Sequence, residues 1–283
     1  MKKLKIGLIG VDEVGVTHLH KYLSMLDIEF VGISDEDSQR LKYISYKYNI
    51  KAYSYLDLLE KVNAVSVISS NENIINDCLN KKIHVLLEKP MTGSSKLLSF
   101  LRESAEKNNV ILQPGLVERF NPIVDIILQS TDFCIHNTVM FERSVSSNIN
   151  PIHIIDELDL CFYLFGKINE IIDESNYLFK FGNTDCFIQT NITNQNYRYC
   201  TVENDFLTGI FNFFEKTASI QHKERNCKSY INFNKTDPLF NEIRSFLCAI
   251  RNDEEAVVTP KDGVKVLKLI EELKYGYNPE KVG

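Results

Sequence analysis

The sequence lacks several features that would place it at once. It has no excess of positive charge. Lys and Arg number 32 against 38 Asp and Glu, a formal net charge of −6, and no basic stripe supplies the footprint that nucleic-acid binding needs. No apolar run approaches the roughly 20 residues of a membrane-spanning helix. The opening Met1-Lys2-Lys3-Leu4-Lys5 imitates the basic start of a secretory leader. The apolar stretch behind it is short and runs into glycine and acid, so a first strand is expected there. Cysteine is present without a pattern. Cys78, Cys134, Cys161, Cys186, Cys200, Cys227 and Cys248 are odd in number, and none forms a Cys-x-x-Cys pair. That leaves neither a disulfide framework nor a zinc site and fits a reducing cytoplasm. Internal repeats and low-complexity tracts are also absent. What remains, 44% hydrophobic and 25% charged residues over a length of 283, is a globular composition with room for two domains.

The informative stretch is Lys5 to His20. A short apolar run, Ile6 to Ile9, meets a glycine turn at Gly10, and a helical pattern follows with Val16, Leu19, Leu23 and Leu26 on one face. Strand, glycine turn and helix open a dinucleotide-binding domain. There the pyrophosphate rests on backbone N–H groups at the helix N-terminus, where the helix dipole favours an anion. The G-x-G-x-x-G pattern reads Gly10-Val11-Asp12-Glu13-Val14-Gly15, so Asp12 stands where the middle glycine belongs. The next strand, Glu29 to Ser34, ends at Asp35. A carboxylate at that place accepts hydrogen bonds from a ribose diol and repels a 2′-phosphate, which favours NAD over NADP. Strands at Ala64–Ser69, Ile83–Leu87 and Val110–Gln113 alternate with helices and imply a parallel sheet, whose carboxyl ends gather ligands. Ser69 to Asn73, including the turn at Ser70, and Glu88 to Pro90 are such strand ends. The cofactor-binding set is therefore Gly10, Asp12, Val14, Gly15, Asp35, Ser69, Asn71 and Glu88.

With Gly15-x-x-His18, Asp35 and above all Val85-Leu86-Leu87-Glu88-Lys89-Pro90, the chain resembles the Gfo/Idh/MocA oxidoreductases, which act mostly on sugars, cyclitols and nucleotide sugars. Gly115-x-x-Glu118-Arg119-Phe120-Asn121-Pro122 is similar to a loop of the nucleotide-sugar and virulence-factor-like branch. Leu160 to Gly166 and a late helix extend the likeness over essentially the whole chain. The resemblance implies that Lys89 lies between nicotinamide and substrate, where its charge stabilises the alkoxide formed as hydride leaves. It also implies a fixed turn at Pro90, often with a cis peptide.

From about Asp132 the texture changes to strand-like segments separated by polar turns. They are Phe133–Val145, Ile168–Phe179, Cys186–Ile192, Tyr197–Val202, Gly209–Glu215 and Ala218–His222, with loops at Asn148–Asn150 and Asn191–Asn196. A helix, Ile152–Phe165, falls between the first two. Asp237–Ile250 reads as helical, and Pro260-Lys261-Asp262-Gly263 as a turn before a helix at Val264–Lys274. The expected fold is α/β. A Rossmann-like parallel-sheet domain spans residues 1–120, and an α+β domain with an open, mainly antiparallel sheet spans 121–283. The late helix is a candidate to pack back on the first domain.

The helix at Ile152 departs from the family. Typical members carry an aspartate and a histidine four residues apart, followed by an aspartate three residues on. Alignment through Asp159 puts Asp156 at the histidine position and Ile152 at the first aspartate. His153 stands at i, i+3 and i, i+4 from Asp156 and Glu157, so a rearranged His–carboxylate pair is one option. An ordinary half-buried helix histidine is the other. Ser70 to Ile74 also lacks the proline and histidine of many relatives. The expected catalytic residues are Lys89, His153 and Asp156, with Arg119, Asn121 and Asp159 as substrate contacts. The expected activity is NAD-linked oxidation or reduction of a secondary alcohol on a sugar, cyclitol or nucleotide sugar, with NADP the lesser choice. The alternative is a catalytically degenerate ligand-binding or regulatory member of the same fold. The family's exposed sheet implies a homo-oligomer; no metal, nucleic-acid or membrane partner is expected.

Overall fold

A computed structural model describes residues 3–69, 71–132, 134–145, 151–173, 177–233 and 236–275. Ser70, Phe133 and the loop expected at Asn148–Asn150 lie outside the described residues. The chain forms two compact units, Met1–Leu116 with Leu239–Lys268, and Val117–Pro238 with Leu269–Gly283.

The first unit opens with β1 (Leu4–Ile9), α1 (Glu13–Ser24), β2 (Ile28–Ser34), α2 (Ser38–Tyr48) and α3 (Tyr55–Leu59). It continues with β3 (Ala64–Val67), α4 (Glu72–Asn80), β4 (His84–Leu87), α5 (Ser95–Asn108) and β5 (Leu112–Pro114). The second unit begins with a 3-10 turn at Val117–Phe120, then α6 (Ile123–Ser130), β6 (Asn137–Val145), a second 3-10 turn at Pro151–Ile154, and α7 (Ile155–Phe165). Seven strands follow: β7 (Glu170–Asp173), β8 (Leu178–Phe181), β9 (Thr184–Ile192), β10 (Arg198–Glu203), β11 (Leu207–Asn212), β12 (Thr217–His222) and β13 (Cys227–Asn232). The chain ends with α8 (Pro238–Asn252) and α9 (Pro260–Tyr275).

In the first unit five parallel strands run in the order β2-β1-β3-β4-β5. Parallel strands covered on both faces are apolar throughout rather than alternating, and all four residues of β3 are buried. One core cluster joins Ile6, Tyr22, Ala64 and Leu86 to Ile243, Phe246 and Leu247 of α8; another gathers Leu8, Val11, Leu19, Ile33 and Ile44. The apolar stripe of α8 places residues 239–268 with the first unit, a stretch that takes in the start of the late helix named as a candidate to pack back there.

In the second unit eight strands run in the order β13-β12-β11-β10-β6-β9-β8-β7. Every pairing is antiparallel except β6 with β9. The architecture expected from the sequence is present in both sheets. Two local expectations are corrected, and one strand has no counterpart among those expected. Ile168–Phe179 is not one strand: β7 pairs antiparallel with β8, which makes a hairpin of it. The edge strand β13 went unread because five of its six residues are exposed and no apolar face marks them. Pro260–Gly263 is not a turn before a helix but the first turn of α9. Pro260 sits where its missing N–H costs nothing, and the Asp262 carboxylate accepts from Thr259 N–H and Oγ1 at 2.9 and 2.8 Å. Gly263 is there for close approach, since a Cβ would fall 2.8 Å from a Leu98 methyl and 3.0 Å from the Met91 sulfur.

Candidate functional site

The turn between β1 and α1 has the glycine geometry of a dinucleotide site. Gly10 has φ +91°, and a Cβ on Gly15 would lie 2.2 Å from the Gly10 carbonyl oxygen. Only glycine allows the helix to start so close to the turn. Asp12 is the N-cap of α1, and its Oδ1 accepts the Gly15 N–H at 2.9 Å. Asp35, at the end of β2, is equally engaged. Its Oδ2 accepts the Val11 N–H and its Oδ1 the Asp37 N–H, both at 2.7 Å, with Arg40 Nε at 3.8 Å. Val14 is exposed on the first turn of α1.

Ser69 Oγ accepts the Asn71 N–H at 3.1 Å. Asn71 caps α4 through the Asn73 N–H and donates its amide to Glu36 Oε1 at 3.0 Å, tying the ends of β2 and β3 together. Beside Asp35 opens a hollow of about 520 Å³ whose lining includes Ser34, Asp35, Leu41, Ala52, Tyr53 and Tyr55. The first-unit cofactor candidates therefore converge on one sheet edge.

At the end of β4 the Glu88-Lys89-Pro90 segment has a cis Lys89–Pro90 bond. Glu88 Oε1 accepts the Lys89 N–H at 2.8 Å, and His18 Nε2, from the middle of α1, stands 3.2 Å from Glu88 Oε2. His18 is fully buried and the Glu88 side chain is 11% exposed. Burial alone would push the Glu88 carboxyl up. The His18 hydrogen bond, the Lys89 charge and the Lys89 N–H outweigh it and hold the group below its ordinary value, as a carboxylate. The His18–Glu88 contact went unread because its partners lie 70 residues apart.

The second unit holds the other candidates in a network of charges. Arg119 and Asp159 pair with each other through two bonds, Nε–Oδ2 at 2.8 Å and Nη2–Oδ1 at 2.6 Å, and their side chains are 5% and 2% exposed. The guanidinium also lies 4.9 Å over the Tyr163 ring. Asn121 is buried; it donates to Glu118 Oε2 at 3.0 Å and accepts from the Ile123 N–H at the start of α6.

The helical His153–Asp156 pair is not formed. The α-helix begins only at Ile155, and His153 sits in the preceding 3-10 turn. Its Nδ1 is buried with no hydrogen-bond partner, and its backbone carbonyl accepts from Arg143. The Ile152 side chain lies outside the described residues. Asp156 instead faces Arg198, with Oδ2 3.6 Å from Nη1.

Arg198 organises this cluster. Its Nη1 also bonds Glu118 Oε1 at 2.5 Å, and its Nε bonds Glu157 Oε1 at 2.6 Å. Arg143 Nη1 takes Glu157 Oε2 at 3.1 Å. Burial would favour a neutral Arg198, but the charges of Glu118, Glu157 and Asp156 raise its pKa and keep it a cation. Two guanidiniums thus face three carboxylates, and Glu118 and Asp156 retain some solvent contact, at 15% and 10% exposed. Neither Arg143 nor Arg198 was picked out from the sequence. They face each other across β6 and β10, where like charges repel unless carboxylates intervene. Two arginines inside strand-like segments were the available signal. Among the described residues no group of three or more metal-ligating side chains could hold a metal ion, and no helix is long and apolar enough to cross a membrane.

Residues 4–116 match a family model described as an oxidoreductase family with an NAD-binding Rossmann fold. The UDP-N-acetylglucosamine 3-dehydrogenase of Acidithiobacillus ferrooxidans is 26% identical over 134 residues, 46% of this chain and 42% of that protein. The myo-inositol 2-dehydrogenase of Thermotoga maritima is 31% identical over 125 residues, 42% of this chain and 37% of the relative. Each alignment spans less than half of the curated relative. Among solved structures, the Acidithiobacillus ferrooxidans dehydrogenase GnnA superposes with TM-score 0.84 at 21% identity, covering 98% of both chains. KijD10, a 3-ketoreductase from Actinomadura kijaniata in complex with TDP-benzene and NADP, gives 0.82 in its open conformation at 15% identity over 98% of both chains. At these identities the structural likeness is one of fold.

Proposed function

We propose, from the match of residues 4–116 to the family model, that the chain is an NAD-linked oxidoreductase of the Gfo/Idh/MocA type acting on a secondary alcohol of a sugar, cyclitol or nucleotide sugar. The observation that carries this reading is the held Glu88–Lys89 segment at the carboxyl end of β4, in the same sheet as the glycine turn. The residues fit the cofactor: Gly10 and Gly15 let α1 start tight against the turn, Asp35 and Glu36 mark the ribose side, and Ser69 and Asn71 lie at the next strand end. When bound, the nicotinamide accepts or supplies the hydride. The acidic run at Asp35, Glu36 and Asp37 opposes a 2′-phosphate, so NAD is preferred to NADP.

The protein's own part is positioning and proton handling. Lys89, its backbone fixed by the Glu88 carboxylate, presents a cation that hydrogen-bonds the substrate hydroxyl and stabilises the developing alkoxide. Asp156, at the place of the family's histidine, receives the proton. Glu118 beside it shares the same Arg198 nitrogen. His153 is left a supporting place. Arg119 and Asp159, already paired, support this reading by bracing α7 against the loop at Glu118 rather than by reaching for substrate, and Asn121 orients Glu118.

Exposed apolar side chains on the second-unit sheet, Ile192, Ile210 and Tyr230 among them, support homo-oligomerisation. A cytoplasmic setting fits the unpaired cysteines. The competing reading, a ligand-binding protein without turnover, draws on Asp12 and on the absence of the family's His–Asp pair. Titration with NADH and NADPH followed by a screen of sugar nucleotides separates them. Under the oxidoreductase reading NADH binds, a substrate turns over, and Lys89→Ala lowers turnover by about 100-fold or more with NADH binding intact. Turnover unchanged in that variant would overturn the role of Lys89.

A further inference from the structure

The one residue that sits badly in the dinucleotide turn is Asp12, and its side chain is not turned away. It occupies the N-cap of α1 with φ −68° and ψ −167°, and Oδ1 accepts the Gly15 N–H at 2.9 Å. The Val11 N–H is taken as well, by Asp35 at 2.7 Å. Two backbone donors of the turn are therefore bonded to carboxylates of the chain itself. The positive end of a helix dipole and its unpaired N–H groups attract one anion well. A pyrophosphate carries charge of the same sign as Asp12 and seeks the same donors.

We propose that Asp12 is a built-in competitor for the dinucleotide, an internal anion that must leave the α1 N-terminus before the pyrophosphate can seat. The inference rests on the NAD-linked reading above and adds to it a control on affinity: the protein binds NADH weakly by design of this turn, and the weakness resides in one side chain. Asp12 is only partly buried, so its carboxylate has water to move into when displaced. The cost of binding is then the lost cap and the remaining repulsion, not a strained core.

Two variants separate charge from capping. Asp12→Asn keeps an N-cap of equal quality and removes the charge; Asp12→Gly removes both and restores the family pattern. Calorimetric titration of the full chain with NADH is expected to give a Kd at least about tenfold lower for Asp12→Gly than for the unaltered protein, with Asp12→Asn between them. Raising the ionic strength should narrow the gap between the unaltered protein and Asp12→Asn, because the repulsion is screened. Equal affinities in all three proteins, or weaker binding by Asp12→Asn, would overturn the proposal and leave the NAD-linked reading standing. No NADH binding by any of them, with melting temperatures showing all three folded, would overturn both.

Discussion

Removing Arg198 tests whether the second unit is held by its charge network. Arg198→Met keeps an unbranched stem in place and gives up the guanidinium, including its position 5.1 Å over the Phe213 ring. What goes is the charge that Glu118, Glu157 and Asp156 share at 2.5, 2.6 and 3.6 Å. Glu157 decides the magnitude. Its side chain is 1% exposed, so water cannot replace the lost bond, and Arg143 at 3.1 Å becomes its only guanidinium. Breaking a buried pair on one side costs about 3–5 kcal/mol. The loss is expected in that range, and in Arg198→Met/Glu157→Met a good part of it returns because the stranded charge is gone. The chain has no tryptophan, so urea unfolding is followed by far-ultraviolet circular dichroism, with hydrogen exchange on α7 locating the loss. Acidification toward pH 4, where free carboxyls take up protons, should narrow the gap between the single variant and the unaltered protein. A loss under about 1 kcal/mol, or a double variant no better than the single one, would refute the argument that this network is buried and interdependent.

His18→Ala removes the side-chain donor to Glu88 and is expected to destabilise by about 1–3 kcal/mol; turnover should fall with KM for NADH unchanged, because Lys89 is misplaced while the glycine turn is intact. The Glu88 carboxyl is held below its ordinary value in the fold, so its contribution is present above the unfolded carboxyl pKa and lost as pH falls through the lowered value. The difference between His18→Ala and the unaltered protein should therefore shrink in acid. His84 offers an effect nearer neutrality. Burial lowers its pKa from 6.5, and its Nδ1 accepts the Ile111 N–H at 3.0 Å, which requires an unprotonated nitrogen. As the pH drops below about 6.5 the unfolded chain takes up a proton that the fold resists, so stability should decline. His84→Asn, which keeps an acceptor without that titration, should flatten the decline in thermal melts taken between about pH 7 and pH 5.

The parts of this fold that could be read in the sequence are those whose cause is local. The glycines at 10 and 15, the apolar β3 and the Glu88–Lys89–Pro90 strand end each carry their reason within a few residues. Where the reading went astray, the deciding contact lay elsewhere. Pro260 and Gly263 carry turn chemistry on paper, but the proline starts a helix and the glycine yields space to Leu98 and Met91. Strand β13 needs no apolar face because it pairs only with β12 at the sheet edge. His153 was placed in a helix from spacing alone, and the helix begins two residues later, which removes the i, i+3 and i, i+4 geometry. The Arg198 network joins residues 41 and 80 positions apart, and no window of sequence contains both ends.

The departures from the pattern that the sequence resembles share one physical character. At the glycine turn, Asp12 puts a carboxylate on the donor that a phosphate would use. On α7, Asp156 is drawn to an arginine already bonded to Glu118 and Glu157. In both places the charged group is satisfied within its own unit rather than presented bare, which is what burial demands of it. The two cases nevertheless differ in what a ligand must displace. Asp12 holds a single N–H at a partly exposed helix end and can be exchanged for another anion. Glu157 and Asp159 are themselves buried, are bound on both oxygens to guanidiniums, and belong to the framework. Among the carboxylates of the cluster, Glu118 and Asp156 keep the most solvent contact, at 15% and 10% exposed. Substitutions at Glu118 or Asp156 should therefore cost less stability than substitutions at Glu157 or Asp159.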